Sequence, residues 1–435
     1  MILTWRFWVL FSIGIPLAGL LAMSGRAELV IPYDLGLLLL AWITTLIAPK
    51  KSQLRLIRKF DPVLSVRTAN RIEVSLTNLS PRLISGQIFD LPPSTFAMSP
   101  NVESFRLETS GRLTFTYELT PPERGSDYFR GTDLLLDCPL GLAKKKMRLP
   151  TAQPIRVYPN VLALREFDLL NQQGRLREIG IRRTRMRGQG SEFESLREYS
   201  IDDDFRKIDW KATARRGKLV VKQFEVERNQ AVILVVDTSR VMLSEVEGVR
   251  KLDHALDSSL MLINAANRAG DQVGLLVFSD AVKQFLPPRK GRNRVGMLIE
   301  AMHDLVAEPI EGDVARAITY LDRRWKRRAL IVVFTDIDEE VRAEELAAVL
   351  GPFARRHRVL LVRVADPTLL SALENRSPER TAVASRAAAG LLNASREEVG
   401  RILSRSRIWH LEAEPQDLAS TLVNAYFEAR SSGQF

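Results

Sequence analysis

The sequence predicts a doubly wound α/β domain, an antiparallel β-sandwich before it, and a two-helix transmembrane hairpin at the N-terminus. Two apolar stretches of about 20 residues open the chain, each the length that spans a bilayer. Residues 61–150 then alternate apolar and polar side chains in short runs broken by proline, the mark of a half-buried antiparallel sheet. From residue 230 onward, continuous apolar runs alternate with stripes of helical spacing, as in βα units around a parallel sheet.

The hairpin is expected over residues 1–49. Residues 2–23 carry Arg6 as their one charge and residues 30–49 carry Asp34, with 24–29 long enough for a tight turn. A cleaved signal peptide is the alternative for the first stretch, disfavoured by the immediate second stretch and the lack of a clean cleavage motif. Lys50, Lys51, Arg55, Arg58 and Lys59 follow, whereas the turn balances Arg26 with Glu28. The positive-inside rule then expects the C-terminal domains in the cytoplasm. Residues 50–60 become a basic juxtamembrane segment against anionic headgroups of the lipid bilayer. Asp34, near the outer edge of its stretch, reads as a hydrated interfacial carboxylate rather than a functional intramembrane acid.

Composition bounds the function without choosing it. The 435 residues leave room for two to three domains, and the net charge of +11 suits an anionic membrane face, nucleic acid or an acidic protein. The single cysteine, Cys138, excludes a disulfide framework and any multi-cysteine metal site, and reads as a small buried hydrophobe. No Gly-x-x-x-x-Gly-Lys-Ser/Thr loop or His-Glu-x-x-His motif occurs, and His254, His303, His357 and His410 are scattered. Gly188-Gln189-Gly190-Ser191 lacks the glycine that follows the serine of a nucleophile elbow. No nucleophile with an identifiable base emerges, so the chain is not expected to be an enzyme.

Within 61–150, period-two runs at 63–66, 71–76, 86–89 and 113–117 are separated by Asn78-Leu79-Ser80-Pro81, Pro92-Pro93 and Pro121-Pro122. This domain reads as structural or partner-docking. Residues 151–228 form a linker. Its arginine-rich part, 175–187, has no interleaved aromatic residue, so a solvated, membrane-facing or partner loop is favoured over a phosphate-binding patch and no specific nucleic acid is expected. Residues 188–223 crowd acids and bases together. Glu194, Arg197, Glu198, Asp209, Trp210, Lys211, Arg215 and Arg216 form either a composite partner-binding surface or a salt-bridge network clamping the linker, with Trp210 as its apolar anchor. Both readings stay open.

The α/β domain occupies 229–435, with strands expected at 231–236, 273–278, 282–286, 330–334, 359–364 and 408–411. Val249, Leu252, Leu256, Leu260 and Ile263 make one helical stripe, and Leu346, Val349, Leu350 and Phe353 another. The first strand ends in Asp237-Thr238-Ser239 and the fourth in Thr335-Asp336. Ligands of open α/β sheets sit at the carboxyl ends of strands, so these oxygen-bearing tips are the candidate site.

The motifs GSEFESLREY (190–199) and IDWKATARRG (208–217) resemble the signature of the bacterial family called domain of unknown function 58. The resemblance extends to PPERGSDYFRGTDLLLDCPLGL (121–142) and NAYFEARSSGQF (424–435), nearly the whole chain after the apolar stretches. It implies a von Willebrand factor A-like fold for 229–435 and partnership with a MoxR-type AAA+ ATPase, and, the family being bacterial, the two apolar stretches then expect a multi-pass place in the bacterial inner membrane. It also implies a metal-ion-dependent adhesion site: an Asp-x-Ser-x-Ser tip, a threonine and an aspartate holding Mg²⁺, with a position open for a partner carboxylate. Asp237, Ser239 and Asp336 match that pattern. Val241 stands where the second serine belongs, and the threonine is lost near Glu311-Gly312-Asp313, with Asp313 nearest to replacing it. Asp338, Glu339 and Glu340 read as helix-capping acids. The expectation is therefore a membrane-anchored, cytoplasm-facing adaptor in complex assembly or envelope-stress chaperoning. The alternatives are a binder of anionic lipid or nucleic acid through 175–187, and a metal-dependent hydrolase using Asp237 and Asp336.

Overall fold

The structure is a computed structural model that describes residues 1–23, 30–161, 164, 169, 180–181, 192–200, 205, 208–225, 229–337, 340–377 and 379–432. The chain divides into two units, Met1–Tyr158 and Pro159–Phe435.

The first unit is built on three sheets. A five-stranded sheet runs in the order Ile2–Leu3, Ala143–Leu149, Gly131–Asp137, Ile84–Leu91, Val102–Leu107. A four-stranded sheet runs Leu54–Lys59, Asn70–Asn78, Arg112–Thr120, Ala97–Met98, and a third joins Leu64–Ser65, Gln153–Tyr158 and Gly125–Phe129. Alternation sorts the side chains: along Ile84–Leu91 every second residue is buried. Ile72, Val74 and Leu76 of one sheet share a core with Ile88, Leu134 and Leu136 of another. Arg58 lies inside this core. Its Nε donates to Asp90 Oδ2 at 2.9 Å, and Tyr117 and Thr132 donate their hydroxyls to the same carboxylate at 2.6 and 2.8 Å. The guanidinium also sits 4.0 Å from the ring centroid of Phe129. A charge is tolerated there because pairing and hydrogen bonds replace its hydration.

The N-terminal apolar stretches form helices α1 (Trp5–Met23) and α2 (Val30–Ile47), and here the sequence expectation is corrected. No helix among the described residues is long and apolar enough to cross a membrane, which overturns the transmembrane hairpin and the multi-pass inner-membrane placement. Helices of 19 and 18 residues, rising about 1.5 Å per residue, fall just short of the ~30 Å hydrocarbon core. The first apolar stretch is also divided. Ile2 and Leu3 leave it to pair with Lys144 and Ala143 at the edge of the five-stranded sheet, and Pro16 interrupts α1. Phe7 and Ala41 bury against Leu142, and Lys145 Nζ donates to the carbonyls of Ala48 and Pro49 at 3.2 and 3.3 Å. Trp5, Trp8, Leu39 and Trp42 remain exposed on the outer side. The juxtamembrane reading of 50–60 fails for a related reason: Leu54–Lys59 is a sandwich strand, and the Arg58 side chain, 1% exposed, is spent on Asp90. The turn at 24–29 lies outside the described residues.

In the second unit, β1 (Glu192–Glu198) and β2 (Val220–Glu225) form an antiparallel pair, with helix α3 (Trp210–Arg216) between them in sequence. The strands β3 (Ala231–Asp237), β4 (Gln272–Phe278), β5 (Val282–Arg289), β6 (Leu330–Phe334), β7 (Arg358–Val364) and β8 (Trp409–Ala413) make one sheet in the order β5-β4-β3-β6-β7-β8. All neighbours are parallel except β5, an antiparallel edge strand that carries Pro287 and Pro288, residues an edge can accommodate. Every residue of β3 is buried, because helices cover both faces. Val232, Leu234 and Val236 pack toward α4 (Lys251–Arg268) and the C-terminal helix Pro415–Ser431. Ala231, Ile233 and Val235 share the opposite core with residues of Val314–Arg324, Glu340–Ala354 and Arg380–Arg405. Strand order reverses between β3 and β6, so the crevice beyond their carboxyl ends is a topological switch point.

Candidate functional site

The switch point holds a cleft of about 470 Å³ lined by Asp237, Ser239, Glu311, Gly312, Asp313, Thr335 and Asp336, with Val241, Ile337, Val341 and Leu346 as apolar walls. Parallel pairing of Val236 with Phe334 brings the ends of β3 and β6 together. The Thr335 hydroxyl donates to Asp237 Oδ2 at 2.6 Å, and the backbone N–H of Ser239 donates to Asp237 Oδ1 at 2.8 Å. Burial pushes the Asp237 carboxyl above the usual carboxylate range, and these hydrogen bonds oppose the rise. Asp336 Oδ2 accepts from the Lys251 ammonium at the start of α4. Its second oxygen, Oδ1, is buried with no hydrogen-bond partner among the described residues.

The loop across from these carboxylates is held close by its backbone. Arg240 N donates to Ile310 O at 2.9 Å and Glu308 N to Thr238 O at 2.8 Å. A Cβ on Gly312 would lie 2.8 Å from Ser239 Oγ and 3.3 Å from Asp237 Oδ1, so only glycine lets the loop approach this near. Glu311 is gripped by Arg240 at 2.6 Å and by Arg342, which together hold its carboxyl below the usual range. Asp313, the expected replacement for the missing threonine, caps the following helix by accepting from Arg316 N at 2.7 Å.

Asp237, Ser239 and Asp336 thus line one cleft, as a Mg²⁺ site requires, but their bonding does not fit a divalent ion as it stands. Mg²⁺ demands near-octahedral oxygen donors and retains several waters. Both Asp237 oxygens are engaged, Asp336 is salt-bridged, and Val241 and Gly312 offer no side-chain oxygen. Among the described residues, no three His, Cys, Asp or Glu side chains are grouped to hold a metal.

Sequence reasoning placed Thr335 at the β6 tip without giving its hydroxyl a partner, and it passed over Lys251. The signal for Lys251 was present. It begins the stripe Lys251, Ala255, Ser258, Leu262 at helical spacing, and all four are buried. A lysine in an inward stripe announces a partner, since lysine is rarely buried unpaired.

The charged signature falls on β1, α3 and β2. Asp209 caps α3, accepting from the backbone N–H groups of Lys211 and Ala212 at 3.0 and 3.1 Å, and Gly217 closes the helix at φ 66°. Glu198 pairs with Lys218 at 2.8 Å in an exposed contact. Arg197 lies opposite Val221 in the β1–β2 pair, and Glu194 falls at the register shift between Phe193 and Ser195. Trp210 is 66% exposed rather than an anchor, and Lys211, Arg215 and Arg216 are exposed around it. Of the arginine-rich run, all but Gly180 and Ile181 lies outside the described residues, as do Asp338 and Glu339.

Residues 195–373, from the signature strand through the cleft, match the family model described as Protein of unknown function DUF58. The uncharacterized protein Rv1480 of Mycobacterium tuberculosis is 30% identical over 182 residues, covering 41% of this chain and 56% of that protein. The uncharacterized protein YeaD of Bacillus subtilis is 30% identical over 127 residues, 29% of this chain and 31% of that protein. The match spans about half the length of the mycobacterial relative. Among solved structures, the conserved hypothetical protein BatB of Bacteroides thetaiotaomicron aligns with a TM-score of 0.31 at 15% identity, over 47% of this chain and 100% of that one.

Proposed function

We propose that this chain is a protein-interaction adaptor that works with a MoxR-type AAA+ ATPase in complex assembly or envelope-stress chaperoning, acting by binding rather than by catalysis. The observation that carries the reading is Trp210. A large aromatic side chain held 66% exposed on a capped helix, beside exposed Lys211, Arg215 and Arg216, has the composition of a binding hot spot. Its charge suits an acidic partner face. The sheet order, with carboxylates at its switch point, supports a von Willebrand factor A-like reading of 229–435.

The test is calorimetric titration of the chain with a MoxR-type ATPase of the same organism. Trp210→Ala is expected to weaken binding at least tenfold, about 1.4 kcal/mol. Its unfolding midpoint should not move, because an exposed side chain contributes little to stability. Arg215→Ala/Arg216→Ala should flatten the salt dependence of the association rate. Failure of the two proteins to associate, or equal binding by Trp210→Ala, sinks the reading.

A further inference from the structure

We infer that Lys251 supplies from within the chain the cation that a divalent ion would otherwise provide at the Asp237–Ser239–Asp336 cleft, so that this cleft works without metal. The inference concerns a different surface from that of Trp210 and stands or falls separately.

Lys251 begins α4 on the stripe that packs against the sheet, and its backbone N–H is fixed to Ser244 O at 2.8 Å. From there its side chain, 9% exposed, reaches Asp336, whose side chain is 6% exposed. Two buried groups of opposite charge at this distance are each the other's counter-ion. An ammonium and a divalent cation on one carboxylate repel each other, so occupancy by one weakens binding of the other. The remaining donors are arranged accordingly. Asp237 is satisfied by Thr335 and the Ser239 backbone, and the Gly312 loop comes so near that a Cβ there would lie 2.8 Å from Ser239 Oγ. Among the described residues, Asp336 Oδ1 is left without a hydrogen-bond partner. Asp237, Glu311, Asp313, Asp336 and Glu345 line the cleft against Arg342 as the one basic side chain among its lining residues. Such a cleft suits a cationic or hydrogen-bond-donating group, whereas a metal-bridged site receives a carboxylate.

The experiment is titration of the chain with MnCl₂ and MgCl₂ by calorimetry, in wild type, Lys251→Ala, Lys251→Arg, Asp336→Ala and Lys251→Ala/Asp336→Ala, with folding checked by circular dichroism. Wild type and Lys251→Arg should show no saturable binding. Lys251→Ala should gain one saturable Mn²⁺ site, at least about tenfold tighter than any wild-type signal, a difference of 1.4 kcal/mol. The double variant should lose it. Saturable binding by wild type that Asp336→Ala abolishes overturns the inference, and so does a folded Lys251→Ala that gains no site. Should Lys251→Ala fail to fold, Lys251→Met keeps most of the apolar stem without the charge and is read in the same way.

Discussion

Lys251 and Asp336, 85 residues apart in sequence, form a buried ion pair at the point where the sheet reverses its strand order. Each residue is the other's reason for being buried, and removing one strands the other. Asp336→Ala should therefore cost about 3–5 kcal/mol, whereas Lys251→Met/Asp336→Leu should cost clearly less, because apolar replacement of both removes the desolvation penalty along with the attraction. Urea unfolding monitored on the second unit distinguishes them. A double variant as unstable as Asp336→Ala would show that the pair is not coupled.

Gly312 makes a second prediction for the same cleft. An added methyl would meet Ser239 Cβ at 3.1 Å as well as Oγ, so rotation of the hydroxyl alone does not relieve it. Gly312→Ala should destabilise by about 1–3 kcal/mol through overpacking, and the loop should loosen. Hydrogen exchange of Glu308 N–H and Arg240 N–H, the amides that tie the loop to the β3 tip, reads the loosening directly. Unchanged protection in the variant would mean that the loop adapts without cost.

His357 carries a pH dependence of known sign. It is buried against the Phe353 ring, centroids 4.2 Å apart, with neither ring nitrogen hydrogen-bonded among the described residues. Burial, aided by Arg356 and Lys326 and opposed by Asp322, pulls its pKa from 6.5 down to about 4. The unfolded chain binds this proton more readily, so stability is complete above pH 6.5 and is lost as pH falls toward about 4. His357→Leu should flatten that part of the stability–pH curve. Identical slopes for the two proteins between those limits would refute the assignment.

In the sandwich, Arg58 should matter and its neighbours should not. Arg58→Ala leaves the buried Asp90 carboxylate to the hydroxyls of Tyr117 and Thr132 among the described residues, at a cost of about 3–5 kcal/mol. Lys50→Ala and Lys51→Ala, both at exposed or half-exposed positions, should stay within about 0.5 kcal/mol. Denaturation followed by a probe in the first unit makes the comparison. Equal, small effects at all three positions would return Arg58 to the surface.

The C-terminal NAYFEAR run is explained by one further network. Tyr426 donates its hydroxyl to Asp271 at 2.6 Å and Arg430 its Nε at 3.0 Å, locking the last helix to the turn before β4. Both hydrogen bonds tie residues more than 150 positions apart, and nothing in the local pattern of either segment announces the other.

By itself the sequence determined the elements whose cause is local. Four apolar runs became the four central strands because a strand covered on both faces favours a continuous apolar run, and the oxygen-bearing residues that end two of them sit at carboxyl tips. Only the tertiary structure decided what those tips are bonded to. Hydropathy along a segment records how much of it is buried, not against what, so the two apolar N-terminal helices read as membrane spans although one face of each packs on the sandwich. The partner of a charge is likewise set by topology: Asp90 claimed Arg58 and Asp336 claimed Lys251 because strand order brought them within reach. Trp210 shows the converse, an apolar residue that a short capped helix turns outward to solvent.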